Sequence, residues 1–200
     1  RFGNPISVAV DSARNVYVAD QNGTIRKITA AGVVTTLAGT AGTAGSTDGT
    51  GAAARFNNPY GVTVDSAGNI YVADQGNHVI RKVTSAGVVT TLTGTAGMTG
   101  STDGTGAAAR FFFPTGVAAD SAGNVYVADQ GNHIIRKVTP AGVVTTSAGA
   151  AGGFGSVDGM GAAARFNAPS GVAVDSTGAF YVADVRNDMR IAQEEVFGPV

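Results

Sequence analysis

Two sets of side chains in this 200-residue sequence have the types and spacing that chemistry needs. Asp20, Asp74, Asp129 and Asp184 follow one another at steps of 54, 55 and 55 residues, and Asn58 and Asn167 are further oxygen donors. Carboxylates and amides drawn together from several parts of a chain can supply the roughly six to eight oxygens that a hard cation takes. His78 and His133 each close the segment Asp-Gln-Gly-Asn-His, and a neutral imidazole is suited to take a proton from water near neutral pH. One reading is therefore a metal held by the aspartates that polarises a carbonyl, with His78 or His133 as the base.

A second reading rests on positions where otherwise repeated segments differ. Asn57, Asn58 and Tyr60 correspond to Phe112, Phe113 and Thr115, and again to Asn167, Ala168 and Ser170. The run Phe111-Phe112-Phe113 stands out, because elsewhere the last two positions are small or polar. One of these rings must be core, and the surplus offers an aromatic wall to a ligand or partner. Other chemistries find no support: there is no Gly-x-Ser-x-Gly elbow, no Gly-x-x-x-x-Gly-Lys phosphate loop and no His-x-x-x-His pair. Two histidines in equivalent positions also argue against a triad.

The elements that must position these residues follow from the repeat. Asp11, Asp65, Asp120 and Asp175 recur at the same steps of 54, 55 and 55. Within one unit, Gly61 to Asp65 alternates as a half-buried strand does, residues 66–69 supply a turn, and Ile70 to Ala73 returns. Val79 to Thr84 and Val88 to Thr93, joined by Ser-Ala-Gly, complete four antiparallel strands. The Gly-rich stretch from Gly94 to Arg110 then carries the chain from an outer strand to the inner strand of the next unit. An all-β propeller of four-stranded blades is the expected fold, with blades at about 1–39, 56–93, 111–148 and 166–200 and loops at about 40–55, 94–110 and 149–165. Four such units either close as a four-blade ring or form part of a larger ring completed by another chain, because an open arc exposes apolar blade faces. The spacing from Asp103 to Arg110 predicts an ion pair tying down the crossing loop, and the loop between strands two and three shares its face with that crossing loop.

With 13 basic and 14 acidic side chains the net charge is −1, so no broad cationic field exists to hold nucleic acid or an anionic membrane. No run of about 18 apolar residues is present, and no cysteine. Disulfides and thiolate chemistry are thereby excluded.

Pro-x-Gly-Val-x-x-Asp followed by Gly-Asn-x-Tyr-Val-Ala-Asp-x-x-Asn-His-x-Ile-Arg-Lys, as in Pro114 to Lys137, resembles the NHL repeat, and the likeness covers residues 1 to about 185. The Asp-Gly-x-Gly-Ala-Ala-Ala-Arg-Phe segment at Asp103 to Phe111 resembles inter-blade loops of bacterial NHL proteins. That implies a bacterial extracellular or cell-envelope setting, with any export signal upstream. Known NHL propellers usually have six blades, against four units here. By analogy with six-bladed calcium-dependent lactonases, the metal reading becomes a Ca²⁺-dependent hydrolase of a lactone or ester. The alternative is a binding scaffold for a peptide, protein or glycan, acting through its loop-rich face and central funnel. The last ten residues, 191–200, resemble an aldehyde dehydrogenase segment and read as a fusion or cloning scar, although 190–193 and 196–200 could still serve as outer strands.

Overall fold

The computed structural model describes residues 1–184, so the predicted outer strands of the fourth unit and the dehydrogenase-like segment lie outside the described residues. The first blade comprises β1 (Pro5–Val10), β2 (Val16–Asp20), β3 (Thr24–Ile28) and β4 (Val34–Gly39), in that order across one antiparallel sheet. A two-residue strand, β5 (Gly49–Thr50), precedes the second blade of β6 (Pro59–Val64), β7 (Ile70–Asp74), β8 (Val79–Val83) and β9 (Val88–Thr93). The third repeats this with β10 (Gly104–Thr105), β11 (Pro114–Ala119), β12 (Val125–Asp129), β13 (Ile134–Val138) and β14 (Val143–Ala148). β15 (Pro169–Val174) and β16 (Phe180–Asp184) form the inner half of a fourth.

The short strands are an addition to the predicted four-stranded blade. β5 pairs with β9 and β10 with β14, so each crossing loop wraps the outer edge of the blade it leads into. An edge strand is thereby covered, which removes an open row of backbone donors and acceptors.

Side chains alternate across each strand, and the apolar ones meet between blades. Tyr17, Ile25 and Ala38 of the first blade pack with Phe56, Ile70, Val72 and Val83 of the second. Tyr71 and Ile80 of the second pack with Phe111, Val125 and Val127 of the third, and Tyr126, Ala128 and Ile135 of the third with Phe180. The innermost strands approach closely: a Cβ on Gly61 would lie 2.2 Å from the Thr115 carbonyl oxygen, and one on Gly116 2.7 Å from that of Ser170. Gly61 and Gly116 are thus required by packing at the axis. At the opposite end, Asp65 accepts bonds from Ala67 N, Asn69 N, Asn69 Nδ2 and the Tyr71 hydroxyl at 2.8–3.0 Å, which closes the first hairpin.

Blade packing runs from β1 to β6, β6 to β11 and β11 to β15. Val8 and Val10 on β1 remain 63% and 58% exposed. A four-blade ring would bury them against β15. Among the described residues β1 packs against β6, and its other face stays uncovered.

Candidate binding site on the loop-rich face

The recurrent aspartates sit where β2, β7 and β12 end, and in the two complete inner blades they anchor a buried clamp. Asp74 Oδ1 accepts from Asn57 N at 2.8 Å, and Oδ2 accepts from Asn77 Nδ2 and Arg81 Nη1, each at 2.8 Å. Arg81 is fully buried over the Phe56 ring and also donates to Asp48 Oδ1 at 2.7 Å and to the Thr47 and Arg55 carbonyls. The third blade repeats this with Asp129, Asn132, Arg136 and Asp103. The expected pair between Asp103 and Arg110 does not form. Asp103 instead bonds Arg136 and Thr146 of the blade it wraps, while the Arg110 guanidinium donates to the Ala107 and Ala109 carbonyls and to Thr95. The loop folds back on the blade, so its partner is 33 residues away and not seven.

Burial pushes the carboxyls of Asp74 and Asp129 up to about 6, against the pull of Asn77 or Asn132, the Asn57 or Phe112 backbone N–H, and the arginine. Asp20 accepts from the backbone of Gly3, Asn4 and Asn22; burial opposes these bonds, which hold its carboxyl below the usual value. Asp184 is placed on β16 opposite Pro169. Asp74 and Asp129 do not suit a calcium ion, because the buried Oδ2 of each already faces a guanidinium. Among the described residues no three His, Cys, Asp or Glu gather to hold a metal.

Asn77 shows how the loop-rich face is assembled. Its Nδ2 donates to Gly45 in the preceding crossing loop, while its carbonyl accepts from Gly97 in the following one. The hairpin loops and crossing loops therefore share a face, as expected. His78 adds the next link. It takes the left-handed conformation at φ 60°, and its Nδ1 accepts from Phe113 N of the next blade at 3.1 Å. His133 does the same to Ala168 N at 2.9 Å. The lone pair a neutral imidazole would use as a base is thus committed to the backbone, and burial lowers the His78 pKa further.

Three equivalent gaps separate successive blades on this face, and two of them hold a left-handed histidine with phenylalanine beside it. Between the second and third, His78, Phe112 and Phe113 pack with ring centroids 4.7–5.8 Å apart. Between the third and fourth, His133 stands 5.9 Å from Phe154. Between the first and second, the loop joining β2 to β3 has three residues, Gln21 to Gly23, where the second blade has four, Gln75 to His78. Gly23, at φ 88°, takes the left-handed position that His78 takes and carries no ring. A cleft of about 310 Å³ remains, lined by Gln21, Asn22, Thr43, Phe56, Asn57 and Asn58 among others.

The residues predicted to form a binding surface are therefore divided. Asn57 and Asn58 line the open cleft. Phe112 is half-buried in the gap between the second and third blades and Phe113 is 42% exposed beside it, while Phe111 is core. Tyr60, Asn167 and Ser170 are half-buried, Ser170 donating to the Ala183 carbonyl. Thr115 does not reach the surface: it is fully buried, its hydroxyl against the carbonyls of Ala128 and Pro169. Sequence reasoning missed Gln21, Asn22 and Thr43, whose signal was the step of 54 in place of 55.

Comparison with known proteins accords with this architecture. The family profile of the teneurin NHL domain matches residues 43–105, and that of the NHL repeat matches 111–137 and 166–193. The chain is 38% identical over 95 residues to Protein SUPPRESSOR OF QUENCHING 1, chloroplastic, of Arabidopsis thaliana, covering 47% of this chain and 9% of that protein. It is 33% identical over 85 residues to human NHL repeat-containing protein 3, covering 40% and 22%. A solved protein of unknown function from Bacteroides thetaiotaomicron superposes with a TM-score of 0.75 at 26% identity, over 90% of this chain and 44% of that one. The chain thus spans less than half the length of each of these proteins. Its clamped, glycine-axled blades and the matched profiles together place it in the NHL-repeat family of β-propellers.

Proposed function

We propose that this chain is a non-catalytic binding module that holds its ligand on the loop-rich face, in the cleft between the first and second blades. One observation supports the reading: of three equivalent gaps, two hold a histidine ring with phenylalanine beside it, and the third has glycine in place of the histidine and a cleft lined with amides. The residues that recur in the second and third blades are engaged in holding those blades together, so the groups left to meet a ligand are those by which the blades differ.

Refilling the gap tests this. Asn57→Phe/Asn58→Phe copies the third blade, where Phe112 lies over Gly131 as Asn57 lies over Gly76, and where Phe113 tolerates φ 49° as Asn58 does 55°. Panels of neutral oligosaccharides and synthetic peptides are screened against the unaltered chain, this variant, and Ala67→Glu on the opposite face. The expected result is a bound probe that Ala67→Glu retains and the plugged variant loses by tenfold or more. Binding insensitive to the plug, or no binding from either panel, refutes the proposal.

A further inference from the structure

The cleft's own hydrogen-bonding pattern specifies a class of ligand, and resting on the binding-module reading above, we infer that it takes a neutral, hydroxyl-rich saccharide unit. No charged side chain lines it. Three of its four side-chain amides are held in defined orientations by neighbours outside the cleft. Asn4 Nδ2 donates to Gln21 Oε1 at 2.7 Å, which directs the Gln21 NH₂ group away from that bond with both donors uncommitted among the described residues. Asn58 Nδ2 donates to Gln75 Oε1 at 2.7 Å, and Asn57 Nδ2 to the Gly76 carbonyl at 3.2 Å, which leaves both Oδ1 atoms as acceptors. The first blade thus brings a donor group to the cleft lining and the second blade brings two acceptors.

Adjacent hydroxyls of a sugar ring both give and receive hydrogen bonds, and they can satisfy such a mixed lining without leaving a buried group unpaired. A carboxylate satisfies only the Gln21 donors, and an ammonium only the Asn57 and Asn58 acceptors. Neither finds a counter-charge. A peptide strand would need free backbone at the rim. There Gly23 N is bonded to the Asp20 carbonyl, Gly42 N to that of Asn22 and Thr43 N to that of Thr40. The volume, about 310 Å³, is at the small end of ligand sites and suits one or two rings.

The test is a titration of the full chain, followed by backbone amide NMR, with methyl glucoside, methyl galactoside and methyl mannoside, then with glucuronate, protonated glucosamine and an uncharged tetrapeptide. For a ligand of this size in an open cleft, a Kd on the order of 1 mM is expected for at least one neutral glycoside. Its shifts should centre on Asn22, Thr43 and Asn58. The charged sugars should bind at least tenfold more weakly. Gln21→Ala should weaken the glycoside about fivefold without altering the fold, and the plugged variant should abolish the shifts. Tighter binding of a charged sugar or of the peptide at the same residues overturns the ligand class and leaves the binding module standing. An unchanged affinity in Gln21→Ala overturns the assigned geometry. Absence of any shift with every probe overturns both.

Discussion

Replacing Arg81 by methionine should be far more damaging than the same change at Arg26, its counterpart in the first blade. Arg81 makes two bonds to carboxylates, at 2.7 and 2.8 Å, and two to carbonyls, and it is fully buried. Methionine keeps most of the volume over Phe56 but strands Asp74 as an unpaired buried charge. Breaking a buried pair from one side costs roughly 3–5 kcal/mol. For a chain of this size that lowers Tm by about 6–20 °C. Arg26 is only half-buried and donates to the carbonyls of Arg1 and Thr35 at 2.9 and 3.4 Å, so its loss should cost no more than about 1 kcal/mol.

Calorimetry and urea titration read both numbers. Asp74→Asn on top of Arg81→Met removes the stranded charge, and the double variant should recover more than half of the loss, a coupling of about 2 kcal/mol or more. Hydrogen exchange supplies a local reading. The bonds Gly45 N to the Phe56 carbonyl and Arg55 N to the Thr47 carbonyl, which fix the crossing loop, should open in Arg81→Met and stay protected in Arg26→Met. Equal effects at the two arginines, or no rescue by Asp74→Asn, would show that the clamp does not hold the loop.

Further predictions follow from the same contacts. Because Asp74 and Asp129 are raised to about 6 by burial, the folded state takes up protons before the unfolded state does, so Tm should rise between pH 7 and about pH 5, against the opposing effect of the lowered His78. Below about pH 4 it should fall as Asp11, Asp20, Asp65 and Asp175, all held below their usual value, are protonated; a steady fall from pH 7 would refute this. Chelation by EDTA followed by excess Ca²⁺ should move Tm by less than about 1 °C, since a ligand specific to the folded state would raise it. Gly61→Ala should cost about 3 kcal/mol or more by thermal melting, given the 2.2 Å approach, whereas Gly171→Ala, whose Cβ would meet only Ala183 at 3.3 Å, should cost under about 1 kcal/mol. Light scattering will give twice the chain's own mass if a second copy covers Val8 and Val10, and Val8→Asp should return it to a monomer.

The strands, hairpin turns and face assignment were legible because each depends on neighbours in sequence. Alternation in Val62 to Val64 and the Asp65-to-Asn69 turn announce themselves over a few residues. What escaped notice depends on distant partners. β5 and β10 are Gly-Thr pairs with no apolar pattern, made strands only by β9 and β14. Asp103 was matched to the nearest arginine because sequence offers no sign that the loop returns to Arg136. Thr115 reads as a binding-surface residue because it differs from Tyr60 and Ser170 at the same position of the repeat, but the close approach permitted by Gly61 and Gly116 buries it.

The first blade is the most informative departure because it varies two features that the others keep together. In the second and third blades, a left-handed histidine both bonds the next blade's backbone and sets a ring beside phenylalanine in the gap in front of it. Shortening the loop by one residue brings glycine to the left-handed position, which L side chains adopt only at a cost, and so preserves the turn into β3 while removing the ring. The blade contact survives, because Ile25, Tyr17 and Phe56 still pack beneath the cleft with no exposure above 1%. A repeat fold can therefore open a site without loss of core, provided the change falls in a loop whose backbone conformation glycine can supply. The converse also holds: restoring a fourth loop residue and histidine between Asn22 and Thr24 should close the cleft while leaving Tm unchanged or higher, and a lowered Tm would show that the gap had been closed by strain and not by packing.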